Sequence, residues 1–330
     1  RNGNADANAS FRVGYNETEQ ALYVAVEVDD DSFSESPNAG PHAWNTQDGC
    51  ELYIDKEHKP GGSTPAQYAR YGESLNAYGS NRGVKGVDLI VGQSDGTKRI
   101  YEWRVRLVDG VAANRSLGLD VAVADKDQDG SFTWLTWGPG TQKVYSPDNC
   151  GDVLLVRDDT PLGTVRGQVN VEGHGSKAPV RVQLQSANAD QLWTKVKTND
   201  QGAYAVNLPT GQYNVQVADD VDHRFTQVAH VSVEVSADQT VVADAVEASV
   251  VHVHRFGNIA HHGGGHSSNH GEPSVNHDAA VRNSAFAYAS RVENIQLDGD
   301  FSDWPEDMPT HAIESSEVGA APNSSADFSA

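Results

Sequence analysis

The chain has 330 residues, 24 basic against 46 acidic, and a formal net charge of −22. That balance excludes a nucleic-acid binder, which needs a basic face to meet phosphate, and it disfavours docking on an anionic membrane. No apolar run reaches the roughly 18 residues of a membrane span, and the length suggests two or three domains.

Short apolar stretches separated by Gly, Asn, Ser and Asp predict an all-β protein. The first residue is Arg1 and no signal peptide is visible, so a mature or trimmed piece of a longer product is expected. Residues 10–157 read as strands. Phe11, Val13 and Tyr15 alternate with polar neighbours, and the run L-Y-V-A-V-E-V at 22–28 follows a polar turn, which predicts an antiparallel hairpin closed by Asp29, Asp30 and Asp31. In C-E-L-Y-I-D at 50–55, Leu52 and Ile54 face one side and Glu51, Tyr53 and Asp55 the other. Residues 56–86, rich in Gly, Pro and Ser, read as a long surface excursion. Strands resume at 87–91, 100–107, 117–124 and 153–156, the spacing of a sandwich.

These pieces resemble the family 9 carbohydrate-binding-module-like domain. The residues that carry the likeness occur in order: F-R-V-G-Y at 11–15, A-L-Y-V-A-V-E-V-D-D at 21–30, Trp44 with Asp48, residues 50–55, Y-E-W-R-V at 101–105, D-K-D-Q-D-G at 125–130, Trp137, and G-D-V-L-L at 151–155. The resemblance implies a β-sandwich over 1–157 on a secreted or surface protein. Residues 162–247 form a second unit. G-T-V-R-G at 163–167, D-Q-G-A-Y at 200–204 and L-P-T-G-Q-Y at 208–213 resemble the carboxypeptidase regulatory-like (transthyretin-like) sandwich. Domains of that type serve as spacers or stalks and carry no catalytic group.

Residues 248–291 break the strand pattern. Seven of the 13 histidines lie between 252 and 277, in a stretch too poor in apolar residues for a core, which reads as a linker. Residues 292–330 then return to the first family. I-Q-L-D-G-D-F-S-D-W at 295–304 resembles the motif that opens a family 9-like module, and the first domain lacks that opening, since residues 1–10 run directly into Phe11. A sandwich without its first strand has an open edge and an unfilled strip of core.

Three arrangements supply the missing piece: return to the same chain as a circular permutation, insertion into the next subunit, or a tandem-repeat array. Insertion into a neighbour is a non-closing, heterologous contact and generates a filament. The favoured reading is therefore an extracellular or cell-surface structural protein whose partners are copies of itself. Ile295, Leu297, Phe301 and Trp304 are expected to fill the open strip. The alternatives are a carbohydrate-binding or adhesion module that holds polysaccharide, and a surface metal-binding protein.

Candidate sites follow from residue chemistry. Asp125, Asp127 and Asp129 before Gly130 offer hard oxygen ligands from a tight turn, as calcium requires, although position 12 of such a loop is Thr136 rather than Glu. The resemblance adds to this, because related modules hold structural calcium; Asp29, Asp30 and Asp31 form a second acidic group. His252, His254, His261, His262, His266 and His270 could ligate a transition metal, against a solvated linker as the alternative. Sugar binding needs an exposed aromatic platform. Of Trp44, Tyr78, Trp134 and Trp137, Trp134 is expected to be exposed, while Trp44 and Trp137 fall at framework positions. Cys50 and Cys150 have no C-x-x-C partner. With export an intradomain disulfide is expected, and two buried thiols are the alternative. No G-x-S-x-G, H-E-x-x-H or P-loop is present, and Glu51 with Asp55 reads as a polar strand face, so no enzyme activity is expected.

Overall fold

The computed structural model describes residues 7–35, 46–58, 65–71, 74–78, 84–94, 96–108, 110–138, 150–173, 180–189, 192–219, 224–251 and 285–315. Among them there is no helix, and the fold is all-β. The chain divides into two units: residues 1–160 with 189–194 and 284–330, and residues 161–188 with 195–283.

In chain order the first unit contributes β1 (Asn8–Asn16), β2 (Ala21–Asp29), β3 (Gly49–Asp55), β4 (Ala66–Tyr71), β5 (Ser74–Tyr78), β6 (Val84–Ser94), β7 (Lys98–Leu107), β8 (Arg115–Lys126), β9 (Phe132–Thr136) and β10 (Gly151–Val156). The hairpin expected at the start forms as β1–β2, in register from Asn8↔Asp29 to Asn16↔Ala21. Its turn is held by the Asn16 side chain, which accepts from the Thr18 and Glu19 amides at 2.9 and 3.0 Å.

In chain order the second unit follows β10. It comprises β11 (Leu162–Glu172), β12 (Arg181–Ser186), β13 (Trp193–Lys197), β14 (Ala203–Pro209), β15 (Gly211–Val217), β16 (Arg224–Gln227), β17 (Val231–Val235), β18 (Thr240–Val242) and β19 (Val246–Val251). One sheet runs β14-β11-β19-β16, with β18 on β11, and the other runs β13-β12-β15-β17. Alternation accounts for its core: Tyr213, Val215 and Val217 of β15 point inward while Gln212, Asn214 and Gln216 stay exposed. In the D-Q-G-A-Y turn, Gly202 (φ +77°) leaves no space for a Cβ against the Val169 carbonyl, so glycine is required there.

The first unit is finished by β20 (Phe286–Arg291) and β21 (His311–Ser315). Its sheet order is β5-β4-β3-β8-β10-β20-β1-β2-β7-β6, and β21 pairs with β1 and β9. Among the described strands of this sheet every pairing is antiparallel except those of β20, which runs parallel to β1 on one side and to β10 on the other. Parallel neighbours need a long connection, and here β20 lies far downstream of β10. β20 also falls inside the stretch read from sequence as linker.

The main core gathers Phe11, Val13 and Tyr15 with Leu22, Val24, Val26, Leu52, Trp103, Val121 and Leu155. Each such side chain contributes roughly 1.5–3 kcal/mol by leaving water. β2 is buried on both faces along most of its length. The closing segment covers the second face of β2.

Candidate functional site

The candidate site is where the C-terminal segment closes the first sandwich. Two separate surfaces are involved. The first is the sheet itself. β20 lies in register with β10 from Asp152↔Phe286 to Val156↔Ser290, and with β1 at Gly14↔Ser290 and Tyr15↔Arg291. Its alternate residues Ala287 and Ala289 enter the main core, and Ile313 of β21 joins them. The fit is close, for a Cβ on Gly14 would come within 2.6 Å of Val292 Cγ1. β21 adds three antiparallel pairs to β1, Ala9↔Ile313 to Phe11↔His311. The His311 ring lies 5.1 Å from that of Phe11 and 6.1 Å from that of Trp137. Burial pulls the His311 imidazole below its ordinary range.

The second surface is the outer face of β2 and β7. Ala21, Tyr23 and Ala25, the residues of β2 that point away from the main core, are covered by Val292, Trp304 and Met308, with Ile295, Leu297 and Phe301 packed around them. These six residues belong to a strap, residues 292–308, that crosses the outer face between β20 and β21. Its anchor is Glu102 of β7, whose side chain is fully buried. One carboxylate oxygen accepts the Asp298 and Gly299 amides at 2.8 and 2.7 Å, and the other accepts the Trp304 indole N–H at 2.8 Å. Burial pushes the Glu102 carboxyl up, and the three N–H donors oppose that shift. Gly299 (φ +90°) packs so tightly on Gly92 of β6 that a Cβ on Gly92 would collide with the Gly299 carbonyl. Arg12 sits over the Phe301 ring at 5.0 Å, a cation–π contact.

The expectation for Ile295, Leu297, Phe301 and Trp304 is thereby corrected. The open strip of the main core is filled by Ala287, Ala289 and Ile313, while the four predicted residues build the outer cover. All these contacts are made within one chain, the geometry of the circularly permuted arrangement. Glu102 is missed by sequence reasoning, since nothing in Y-E-W-R-V marks its partner some 200 positions away. The near-continuous apolar run of β2 is the signal that its second face is also covered.

The acidic stretches converge in a different way from the one expected. Asp30, Asp48 and Asp125, all buried, each place a carboxylate oxygen within 4.8 Å of the others. Among the described residues this is the one acidic or His/Cys group with such geometry. Asp48 is oriented by the Lys126 amide at 2.6 Å and by the Ser34 amide. Burial, with Asp30 adding repulsion, raises its carboxyl to about 7. Asp127 and Asp129 do not join them. They lie past the end of β8 and hold the β8–β9 turn through the Ser131 hydroxyl, with Gly130 at φ +93°. The expected single D-x-D-x-D loop is thus split: strand alternation sends Asp125 inward, and the turn sends the other two to the surface. The hard-oxygen set of Asp30, Asp48 and Asp125 suits calcium chemistry.

Other expectations change as well. Trp134 is 3% exposed, packed with Tyr53, Tyr71 and Cys150 and edge-on to Phe132 at 5.4 Å, so it offers no sugar platform. Trp137 packs on the main core, with its ring 4.9 Å from Phe11. Trp44 lies outside the described residues, as does the side chain of Tyr78. Cys50 and Cys150 are buried thiols that no disulfide joins, against the intradomain disulfide expected. Cys50 joins Leu52 and Ile54 in the main core, whereas Cys150 joins Tyr53 in a cluster on the other face of β3. Glu51 and Asp55, read as a polar outer face, are buried. Glu51 accepts from Gln67 at 3.0 Å and from the Tyr53 and Tyr71 hydroxyls. His252, His254, His261, His262, His266 and His270 lie outside the described residues.

Residues 1–158 match the family described as carbohydrate family 9 binding domain-like. The family 9-like domain accounts for β1 to β10, and β20, β21 and the strap complete it from outside the matched range. Residues 163–250 match the second β-sandwich domain of BOS complex subunit NOMO1-like proteins, in agreement with the two-sheet second unit. Domains of both kinds are binding or structural rather than catalytic. Among solved structures, a family 9 carbohydrate binding module from Caldicellulosiruptor kristjanssonii in complex with cellotriose shares 19% identity over 48% of this chain and 80% of that one, at a TM-score of 0.40. The major pilin subunit BcpA of Bacillus cereus shares 10% identity over 74% of this chain and 71% of that one, at 0.21. The minor pilin GBS52 of Streptococcus agalactiae shares 12% over 64% and 86%, at 0.22. Comparison with curated proteins returns no match. No described helix is long and apolar enough to cross a membrane.

Proposed function

We propose that the chain is a non-catalytic extracellular or cell-surface protein, built to adhere and to assemble, in which copies join head to tail by exchanging the segment that closes the family 9-like domain. The observation that carries this reading is the insertion of β20 between β1 and β10. A ladder of main-chain hydrogen bonds has the same geometry whether the strand arrives from its own chain or from a neighbour. Residues 252–284 precede the segment, and a chain of that length reaches at most about 120 Å. Exchange in one direction leaves each copy with a free acceptor at one end and a free donor at the other, so the contact propagates as a filament.

Electron microscopy and light scattering of the native full chain test the proposal. Fibres with a subunit-length repeat, lost when residues 284–330 are deleted, are the expected result. Compact single-chain particles at every concentration would overturn the exchange and leave closure within one chain. A second reading, polysaccharide binding, is favoured by the family 9-like match. Retention of the full chain on immobilised cello-oligosaccharide supports it, and absence of retention removes it. Two metal proposals accompany these readings: calcium at Asp30, Asp48 and Asp125, and a transition metal at the histidine tract. The second is tested by metal titration of the full chain against a 252–277 deletion, with equal uptake counting against the tract.

A further inference from the structure

The closing segment makes two kinds of contact, and they differ in what they can discriminate. β20 pairs through main-chain groups, and the residues it sends into the main core are Ala287 and Ala289. A main-chain ladder does not read sequence, and two alanines are weak anchors. On the core side any strand with small alternate residues would satisfy that slot, while Phe286 and Tyr288, on the opposite side of β20, are half-buried and stack edge-on to each other at 4.9 Å. The strap across the outer face is different. Glu102 presents one fully buried carboxylate to three N–H groups that only a tight D-G turn followed five residues later by Trp304 brings together. Such charge-assisted bonds are short and strong, and a buried carboxylate stripped of them is expensive. Gly92 and Gly299 add a steric condition, since the two backbones meet where neither residue has room for a side chain. Trp304 then fills the patch formed by Ala21, Tyr23 and Ala25.

We propose that the outer face of β2, β7 and β6 is the recognition surface that selects the closing segment, with Glu102 as its specificity-determining residue, and that it accepts the strap of a second copy of this chain through the same contacts. The proposal rests on the exchange reading above and assigns recognition to the strap rather than to the inserted strand. Glu102→Gln tests it in the full chain. The Gln amide turns an NH2 group toward N–H donors, so at least one of the three bonds is replaced by donor facing donor. Gly92→Ala is the independent second variant, because it leaves Glu102 intact and displaces Gly299.

Hydrogen exchange read by mass spectrometry is the measurement. Peptides covering 295–304 are expected to exchange about tenfold faster or more in both variants, the loss corresponding to one hydrogen bond to a charged acceptor, while peptides covering 286–291 keep their protection. Unchanged exchange at 295–304 would overturn the role of Glu102, and an equal acceleration at 286–291 would overturn the division of labour. Light scattering on the same samples separates this result from the exchange reading. A monomeric wild-type chain with a Glu102-dependent strap sinks assembly between copies and confines recognition to one chain. Associated chains whose strap is indifferent to Glu102 sink the recognition surface alone.

Discussion

Trp304→Ala is the perturbation whose size the structure fixes best. Trp304 is 3% exposed and packs on Ala21, Tyr23, Ala25, Val292 and Met308. Truncation of a buried Trp to Ala removes about 3–5 kcal/mol. It also leaves one oxygen of Glu102 buried without its indole donor, worth about 1–3 kcal/mol more. The two losses are not simply additive, because the strap is a small unit with its own docking free energy. Once truncation exceeds that value the strap detaches, the outer face of β2 meets water, and further damage to the strap has no effect. The global loss in chemical denaturation is therefore expected to reach about 3 kcal/mol and then saturate, so that Trp304→Ala combined with Glu102→Gln is little worse than Trp304→Ala alone. Double-mutant analysis measures this shared ceiling as a coupling energy. A loss under about 1 kcal/mol, or full additivity of the two variants, would refute the strap as a single latched unit.

Three further outcomes are expected. Asp48 has its carboxyl raised to about 7 in the fold from an ordinary 3.8, so its contribution to stability is present at low pH and is lost as pH rises through about 7. Calcium is expected to restore the melting temperature at pH 8 but not in Asp125→Asn, and melting curves indifferent to calcium would refute a site at the three aspartates. His311 has its pKa lowered by burial from 6.5, so its neutral form stabilises the fold above about pH 6.5 and that stability is lost as pH falls below it. His311→Phe is expected to flatten this acid limb, measured by urea midpoints between pH 7 and 5. Cys50 and Cys150 are buried thiols on opposite faces of β3, with the Cys50 thiol pushed up by burial. Both are expected to react with a thiol reagent only after denaturation, with equal melting temperatures under oxidising and reducing conditions. A single oxidised mass two units lower in the folded protein would contradict this.

The two sandwiches are legible in the sequence because alternation at period two survives any choice of partner, as in Tyr213, Val215 and Val217. The displaced opening motif at 295–304 is legible as well. Its place in the fold is not, because the faces of β2 differ only in size, Leu22, Val24 and Val26 against Ala21, Tyr23 and Ala25, and both are apolar. The strand that fills the gap, F-A-Y-A-S-R at 286–291, sends only Ala287 and Ala289 into the core and follows a tract of Gly and His, so its core-facing side gives no strong apolar signal. Asp125 and Trp134 fail for one shared reason. Each sits on a hairpin, β8–β9, whose two faces are both covered, and a local pattern assigns residues to faces without saying which face meets water. Glu102 pairs with groups that only the tertiary fold brings near it.

The position of β20 also dictates the order in which the molecule can be made. A central strand of the first sandwich is encoded after the whole of the second, so residues 1–160 leave the ribosome before β20, the strand that pairs with both β1 and β10. The described strands of the second sandwich are all in hand by Val251. It can settle while the first still waits, reversing the usual rule that the domain synthesised first folds first. Joining β10 to β20 closes a loop that contains an entire domain, and the entropy of that closure must be met before the ladder repays it. The final step is therefore slow relative to the local hairpins, and during that interval the family 9-like domain presents an open slot at its centre.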